Sequence, residues 1–305
     1  MKKFGLIGHP LGHTLSPFIH KKLFKLSGIN ATYEVFDIPP NDLPDKIEFL
    51  KTLDGFNVTI PHKVSVMEWC DEVGSSVGWC GAINTVKTEN GISTGSNTDW
   101  IGFQKALNNH FKKLYGISDR AARCLLVGAG GAARAAAFWL RCRGYAITIA
   151  AREEDVNAAK QIKLGVIENC PIRSGGLIVS MELDNSRIDE KIRQEQDENT
   201  RVVKISEISG EYDLLVNATP VGMYPNVKAC PVPESVIKNC KNVFDMVYNP
   251  AETELVKIAK SLGKNAATGM AMLVWQAAAA HEIWYGAKFN HEDISKLIEE
   301  TSAQL

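Results

Sequence analysis

Three features are scarce in this chain: charge of one sign, long apolar stretches and closely paired cysteines. Each scarcity removes a class of function. Lys and Arg number 34 against 35 Asp and Glu, so no broad basic surface is available to neutralise a nucleic-acid backbone. A local basic pocket for a single phosphate stays open. The seven cysteines are odd in number and contain no C-x-x-C pair, which disfavours a disulfide framework or a thiolate zinc site and favours a reducing compartment; no metal is expected. The apolar stretches around 125–150 and 269–280 are interrupted by Arg134 and Arg141 or too short to cross a bilayer. Residues 4–8, behind Lys2 and Lys3, stop at His9-Pro10 before a signal peptide could form. A cytoplasmic protein with neither nucleic-acid nor membrane partners is expected.

What is present reads as alternating strands and helices. With 305 residues, and roughly 100–200 per domain, two domains are expected. Residues 4–8 read as a buried strand, and 17–27 as a helix with Ser16 as N-cap and Pro17 at the first helical position. Strand 31–38, helix 42–52 and strand 55–60 follow, an alternation that predicts a parallel αβ sheet. A second unit starts near Arg120, with strand 122–127, a turn Gly128-Ala129-Gly130-Gly131, helix 132–143 and strand 146–150. Strands at 212–216 and 242–246 precede helices at 253–262, 270–285 and 291–301. The stretch 153–210, densely charged over 184–201, is longer than one strand–helix connection needs and predicts an extra surface excursion or a binding element.

The segment VGAGGAARAA, between a strand and a helix, is a Rossmann-type phosphate turn. Its glycines permit a tight turn and close approach of the backbone to a pyrophosphate, and the helix N-terminus presents N–H groups to it. About 20 residues on, Arg152 suits a ribose 2′-phosphate and therefore NADP, whereas Glu153 and Glu154 suit a bare ribose and NAD. The three also fit a plain exposed helix start. On the other half, Thr14 and Ser16 are hydroxyls that could hold a carboxylate or simply cap a helix. Lys63 follows a strand end, where open α/β sheets bind ligands.

GHPLGHTLSP, NVTIPHK, GAINT, SNTD, GAGGAARA, NATPVGM, DMVYNP and GMAMLVWQAAAAHEIWYG stand in this order along nearly the whole chain, the 153–210 stretch excepted. In order and spacing the set resembles the shikimate dehydrogenase family. The resemblance implies an α/β protein of two lobes: a substrate-binding αβ domain over 1–104 with 268–305, and a Rossmann dinucleotide domain over 105–267. It implies that Lys63 and Asp99 are the catalytic pair, and that Thr14, Ser16, Asn57, Thr59, Asn84, Tyr248 and Gln276 bind substrate. It further implies that Gly128, Ala129, Gly130, Gly131, Ala132, Arg152, Glu154, Thr219, Met246, Gly269 and Met272 bind the cofactor. The implied reaction is the NADPH-dependent reduction of 3-dehydroshikimate to shikimate, a step toward chorismate and the aromatic amino acids, by a monomer or homodimer. Two alternatives stay open: an NAD-preferring quinate/shikimate dehydrogenase and a non-catalytic ligand sensor.

The chain departs from the family's pattern at three places. Thr14 stands where Ser is usual, Ala151-Arg152-Glu153 replaces Asn-Arg-Thr, and His281 replaces an aromatic residue of the last long helix. The first bears on shikimate against quinate, the second on NADP against NAD, and the third reads as a core or interface substitution.

Overall fold

A computed structural model of the chain describes residues 1–12, 14–111, 122–164 and 199–305. These divide into two compact units, one of Met1–Gly102 with Leu273–Gln304, the other of the described residues from Phe103 to Met272. Most of the expected charged excursion, 165–198, lies outside the described residues.

The first unit contains β1 (Lys2–Gly8), α1 (Ser16–Ser27), β2 (Ala31–Asp37), α2 (Leu43–Leu50), β3 (Gly55–Val58), β4 (Glu72–Val73), α3 (Ser75–Cys80), β5 (Thr85–Glu89), β6 (Ile92–Ser96) and the start of α4 (Asp99–His110). Its sheet runs β2-β1-β3-β5-β6-β4. The parallel arrangement expected of the first three strands holds, and a hairpin not expected from the sequence is added to it. β1 is parallel to β2 and β3, but β5 is antiparallel to both β3 and β6. The cause is local: Asn90 (φ 53°) and Gly91 (φ 79°) form a two-residue turn with both φ positive, the connection whose twist suits a β-hairpin. A correction concerns Ser16. The helix begins at Ser16 itself, Leu15 occupies the cap position, and no side chain caps it.

The second unit contains β7 (Arg123–Val127), α5 (Gly131–Cys142), β8 (Ala146–Ala151), α6 (Val156–Leu164), β9 (Thr200–Lys204), β10 (Tyr212–Asn217), α7 (Glu234–Lys238), β11 (Cys240–Asp245), α8 (Glu254–Ser261) and β12 (Asn265–Thr268). The order β12-β11-β10-β7-β8-β9 is parallel throughout. Counted from β7, this is the doubly wound order of dinucleotide-binding sheets, with the order reversing between β7 and β10. Its central strands β7, β8 and β10 are mostly apolar and buried, as a sheet covered by helices requires.

Two helices end the chain, α9 (Met270–Tyr285) and α10 (His291–Ser302). Within the first unit, Trp284 of α9 stacks on Phe4 with ring centroids 4.5 Å apart and joins a core with Phe24 and Ala280. Its indole Nε1 donates to the Val86 carbonyl at 2.9 Å. A Cβ at Gly55 would stand 2.5 Å from that nitrogen, so the glycine is what admits the ring. Burying a side chain of this size contributes roughly 1.5–3 kcal/mol. α9 thereby carries Gln276 to the sheet of the first unit. Among the described residues no helix is long and apolar enough to cross a membrane.

Candidate active site

In the first unit the site is built at the C-terminal end of β3 and at the junction of β6 with α4. Lys63 Nζ donates to Asp99 Oδ2 at 2.5 Å, with the two side chains only 15% and 6% exposed. Three features place this pair. β3 ends at Val58 and the chain turns through His62, whose N–H bonds the Thr59 carbonyl at 2.9 Å. The Lys63 carbonyl accepts from Ile83 N at 2.7 Å, which ties the lysine to the strand that follows. Asp99 opens α4, where a carboxylate suits the positive end of the helix dipole, and its N–H donates to Asn97 Oδ1 at 3.0 Å.

Asn84 orients the acid. Its Nδ2 lies 2.8 Å from Asp99 Oδ1 and 2.9 Å from Thr98 Oγ1, while its Oδ1 accepts the Thr98 N–H at 2.6 Å. Gln276 Oε1 reaches the same cluster at 3.4 Å from both Asn84 Nδ2 and Thr98 Oγ1. Asn57 Nδ2 donates to the Asn84 carbonyl at 3.2 Å and to Thr85 Oγ1 at 3.1 Å. Lys63, Asp99, Asn84, Gln276 and Asn57 therefore form one hydrogen-bonded group, in which Asp99, Asn84 and Asn57 are buried and Lys63 and Gln276 are half-buried. Thr59 is half-buried two residues beyond Asn57. Thr14 Oγ1 donates to Ser16 Oγ at 3.2 Å and also accepts the Ser16 N–H at 3.2 Å.

Tyr33 joins these two groups. In the sequence it shows only as a strand-forming residue. Its hydroxyl donates to Asn57 Oδ1 at 2.8 Å and also bonds the Ser16 side chain, and burial pushes it well above the ordinary tyrosine pKa. The ring of His20 stacks on it at 4.0 Å with planes 8° apart. His20 Nδ1 lies 2.8 Å from His281 Nε2, and the other nitrogen of His281 meets the Tyr285 hydroxyl. Both histidines are fully buried, and burial lowers the pKa of each, that of His281 to about 3. The departure at 281 is thus a core substitution that pairs with a second buried imidazole.

In the second unit the phosphate turn follows β7. Gly128 has φ 118°, and a Cβ there would meet Thr219 Cγ2 at 2.9 Å. The glycine therefore serves both the turn and the packing of β7 beside β10 at the reversal of strand order. Gly130 caps α5 and has open space around its Cα; Gly131 and Ala132 form the first turn of that helix. A glycine-lined turn with room before a helix N-terminus fits a pyrophosphate. Ala129 lies between the two glycines of this turn.

Thr219 Oγ1 donates to Asn217 Oδ1 at 2.6 Å. Asn217 Nδ2 in turn donates to Asp245 Oδ1 at 2.8 Å, and Thr253 Oγ1 to Asp245 Oδ2 at 2.6 Å. Asp245 is fully buried, and desolvation raises its pKa to about 6 against those hydrogen bonds. This brace across the ends of β10 and β11 has its only sequence signal in the first letters of NATPVGM and DMVYNP. Gly269 lies so close to the Met246 backbone that a Cβ would clash with its carbonyl. Met272 is buried and Tyr248 half-buried, the latter with its hydroxyl pKa raised by burial. Arg152, at the end of β8, is exposed and held by Asp155 (Nη2–Oδ2 2.7 Å) and Glu154 (Nη1–Oε1 3.2 Å). The expected cofactor residues lie at the C-terminal ends of their strands or in the turns and helix starts that follow. The expected substrate residues, Tyr248 excepted, are in the first unit.

The chain is similar to known proteins over nearly its whole length. Residues 6–86 match the family model of the shikimate dehydrogenase substrate binding domain. The shikimate dehydrogenase (NADP(+)) of Caldanaerobacter subterraneus subsp. tengcongensis is 38% identical over 300 residues, 97% of this chain and 96% of that protein. That of Methanocaldococcus jannaschii is 34% identical over 300 residues, again 97% and 96%. The fold is similar to that of the shikimate 5-dehydrogenase of Thermus thermophilus, solved in complex with NADP(H) and shikimate. The TM-score is 0.76 at 29% identity, over 99% of this chain and 100% of that one. Identity above a third across nearly the whole of both chains makes this chain a member of the shikimate dehydrogenase family.

Proposed function

We propose that the chain catalyses the reversible NADPH-dependent reduction of 3-dehydroshikimate to shikimate, with Lys63 and Asp99 as the catalytic pair. The observation that carries this reading is the near-buried Lys63–Asp99 pair, 2.5 Å long and fixed by Asn84. NADPH, when bound, supplies the hydride. Gly128–Ala132 hold its pyrophosphate, Arg152 its 2′-phosphate beside Glu154, and Thr219, Met246, Gly269 and Met272 line its nicotinamide half.

The chain's own side chains do the rest. Lys63 has three N–H donors and Asp99 takes one, so the others can polarise a carbonyl and deliver a proton to its oxygen. In the oxidative direction the same nitrogen receives the hydroxyl proton. Asp99 keeps the ammonium aimed and accepts from a ring hydroxyl, together with Asn84 and Gln276. Thr14 and Ser16 receive the carboxylate, and Asn57 and Thr59 line the ring; Tyr248 is assigned to the substrate by the family resemblance.

Initial rates with shikimate or quinate, and with NADP⁺ or NAD⁺, test the reading. Turnover mainly with shikimate and NADP⁺ is expected. A preference for quinate and NAD⁺ would overturn the assignment of substrate and cofactor. Ligand binding without turnover in any combination would overturn the enzyme itself.

A further inference from the structure

The end of β8 and the end of β9 lie side by side. The strands are parallel with Ala151 opposite Lys204, so Lys204 closes its strand next to the residue that precedes Arg152. Adjacent strands are only about 4.8 Å apart, which puts the two cations at one edge of the sheet. That edge is where a doubly wound sheet receives the adenosine half of a dinucleotide.

Neither cation stands alone. Lys204 Nζ donates to Glu153 Oε1 at 2.6 Å, and Arg152 is bound to Glu154 and Asp155. The lysine side chain is 40% exposed and the glutamate 79%. An exposed pair of this kind contributes little to stability and is readily exchanged. The group holds two cations and three carboxylates, so an arriving phosphate dianion meets repulsion unless a cation leaves its carboxylate for it.

We propose that Lys204 is the second cation of the 2′-phosphate subsite and that Glu153 competes with the phosphate for it. Preference for NADP over NAD then depends on Lys204 exchanging its partner, with Arg152 as the other arm. A charge-assisted hydrogen bond to phosphate is the interaction gained, and it has no counterpart on a bare ribose. This rests on the reading of NADPH as the cofactor.

The test is calorimetric titration of NADP⁺ and of NAD⁺ into the full-length protein and its variants, which reads binding without turnover. Lys204→Ala is expected to weaken NADP⁺ about tenfold while leaving NAD⁺ within about twofold. Glu153→Gln is expected to tighten NADP⁺ several-fold, with a smaller gain when combined with Lys204→Ala. Equal losses for both cofactors, or an unchanged NADP⁺ affinity in Lys204→Ala, would overturn the proposal. A wild-type protein that binds only NAD⁺, with the ratio unmoved by either variant, would overturn it together with the NADP reading. A wild-type preference for NADP⁺ that persists undiminished in Lys204→Ala would overturn the role of Lys204 alone. Thermal unfolding of both variants should stay at the wild-type midpoint, since the pair is exposed.

Discussion

Asn84 takes one oxygen of Asp99, Oδ1 at 2.8 Å, and so leaves Oδ2 to Lys63 at 2.5 Å. The carboxylate cannot rotate without losing one of the two bonds, and the amide is itself fixed by the Thr98 N–H at 2.6 Å. The aim of the lysine is therefore set by an uncharged neighbour. Asn84→Asp, which puts a second carboxylate against the first, should lower kcat by about 10²-fold, a loss of roughly 2.7 kcal/mol in transition-state stabilisation. Steady-state kinetics in both directions would check this.

Tyr33 bonds Asn57 and Ser16 through one hydroxyl. Tyr33→Phe removes both bonds but keeps the ring that stacks on His20. The KM for shikimate should rise about tenfold, the scale of one lost hydrogen bond in a buried site, while the KM for NADP⁺ stays unchanged. A rise in both would mean a general loss of structure.

The His20–His281 pair predicts a pH dependence of stability. Both pKa values are lowered in the folded state, mainly by burial, that of His281 to about 3. Between about 3 and the ordinary histidine value near 6.5, the unfolded chain binds more protons than the folded one. Their contribution is complete above about pH 6.5 and is lost as pH falls, by up to ~1.4 kcal/mol per pH unit for each group. Asp245, raised to about 6 by burial, acts in the opposite sense, since the folded chain holds its proton over the range 3.8–6. The comparison must therefore be differential. Denaturant unfolding of wild type and His281→Phe between pH 4 and 8 should show the wild type losing stability faster on acidification. Parallel curves would remove His281 from the account.

Much of the site was legible because its residues sit in short motifs whose chemistry is local. Lys63 lies in the turn after a strand end, Asp99 opens a helix, and the glycines around Gly130 lie between a strand and a helix. Tyr33 was not legible: it sits on an edge strand where an aromatic residue is expected anyway, and only the register of β1 with β2 and β3 brings it to Asn57. The hairpin of β5 and β6 carried a readable signal in Asn90-Gly91. Short strands with several polar residues in a mixed sheet lack the apolar run that marked the buried strands. The cap at Ser16 failed for a related reason. The hydroxyl has a local use that the sequence favours, and the folded chain turns it to Thr14 instead.

The most direct test of the mechanism is the single-turnover rate of Lys63→Ala with shikimate and NADP⁺, alongside its affinity for shikimate. The expected result is a fall in rate of about 10²–10⁴-fold with shikimate binding retained to within a few-fold. A rate within about threefold of wild type would contradict the assignment of Lys63 as the group that moves the proton.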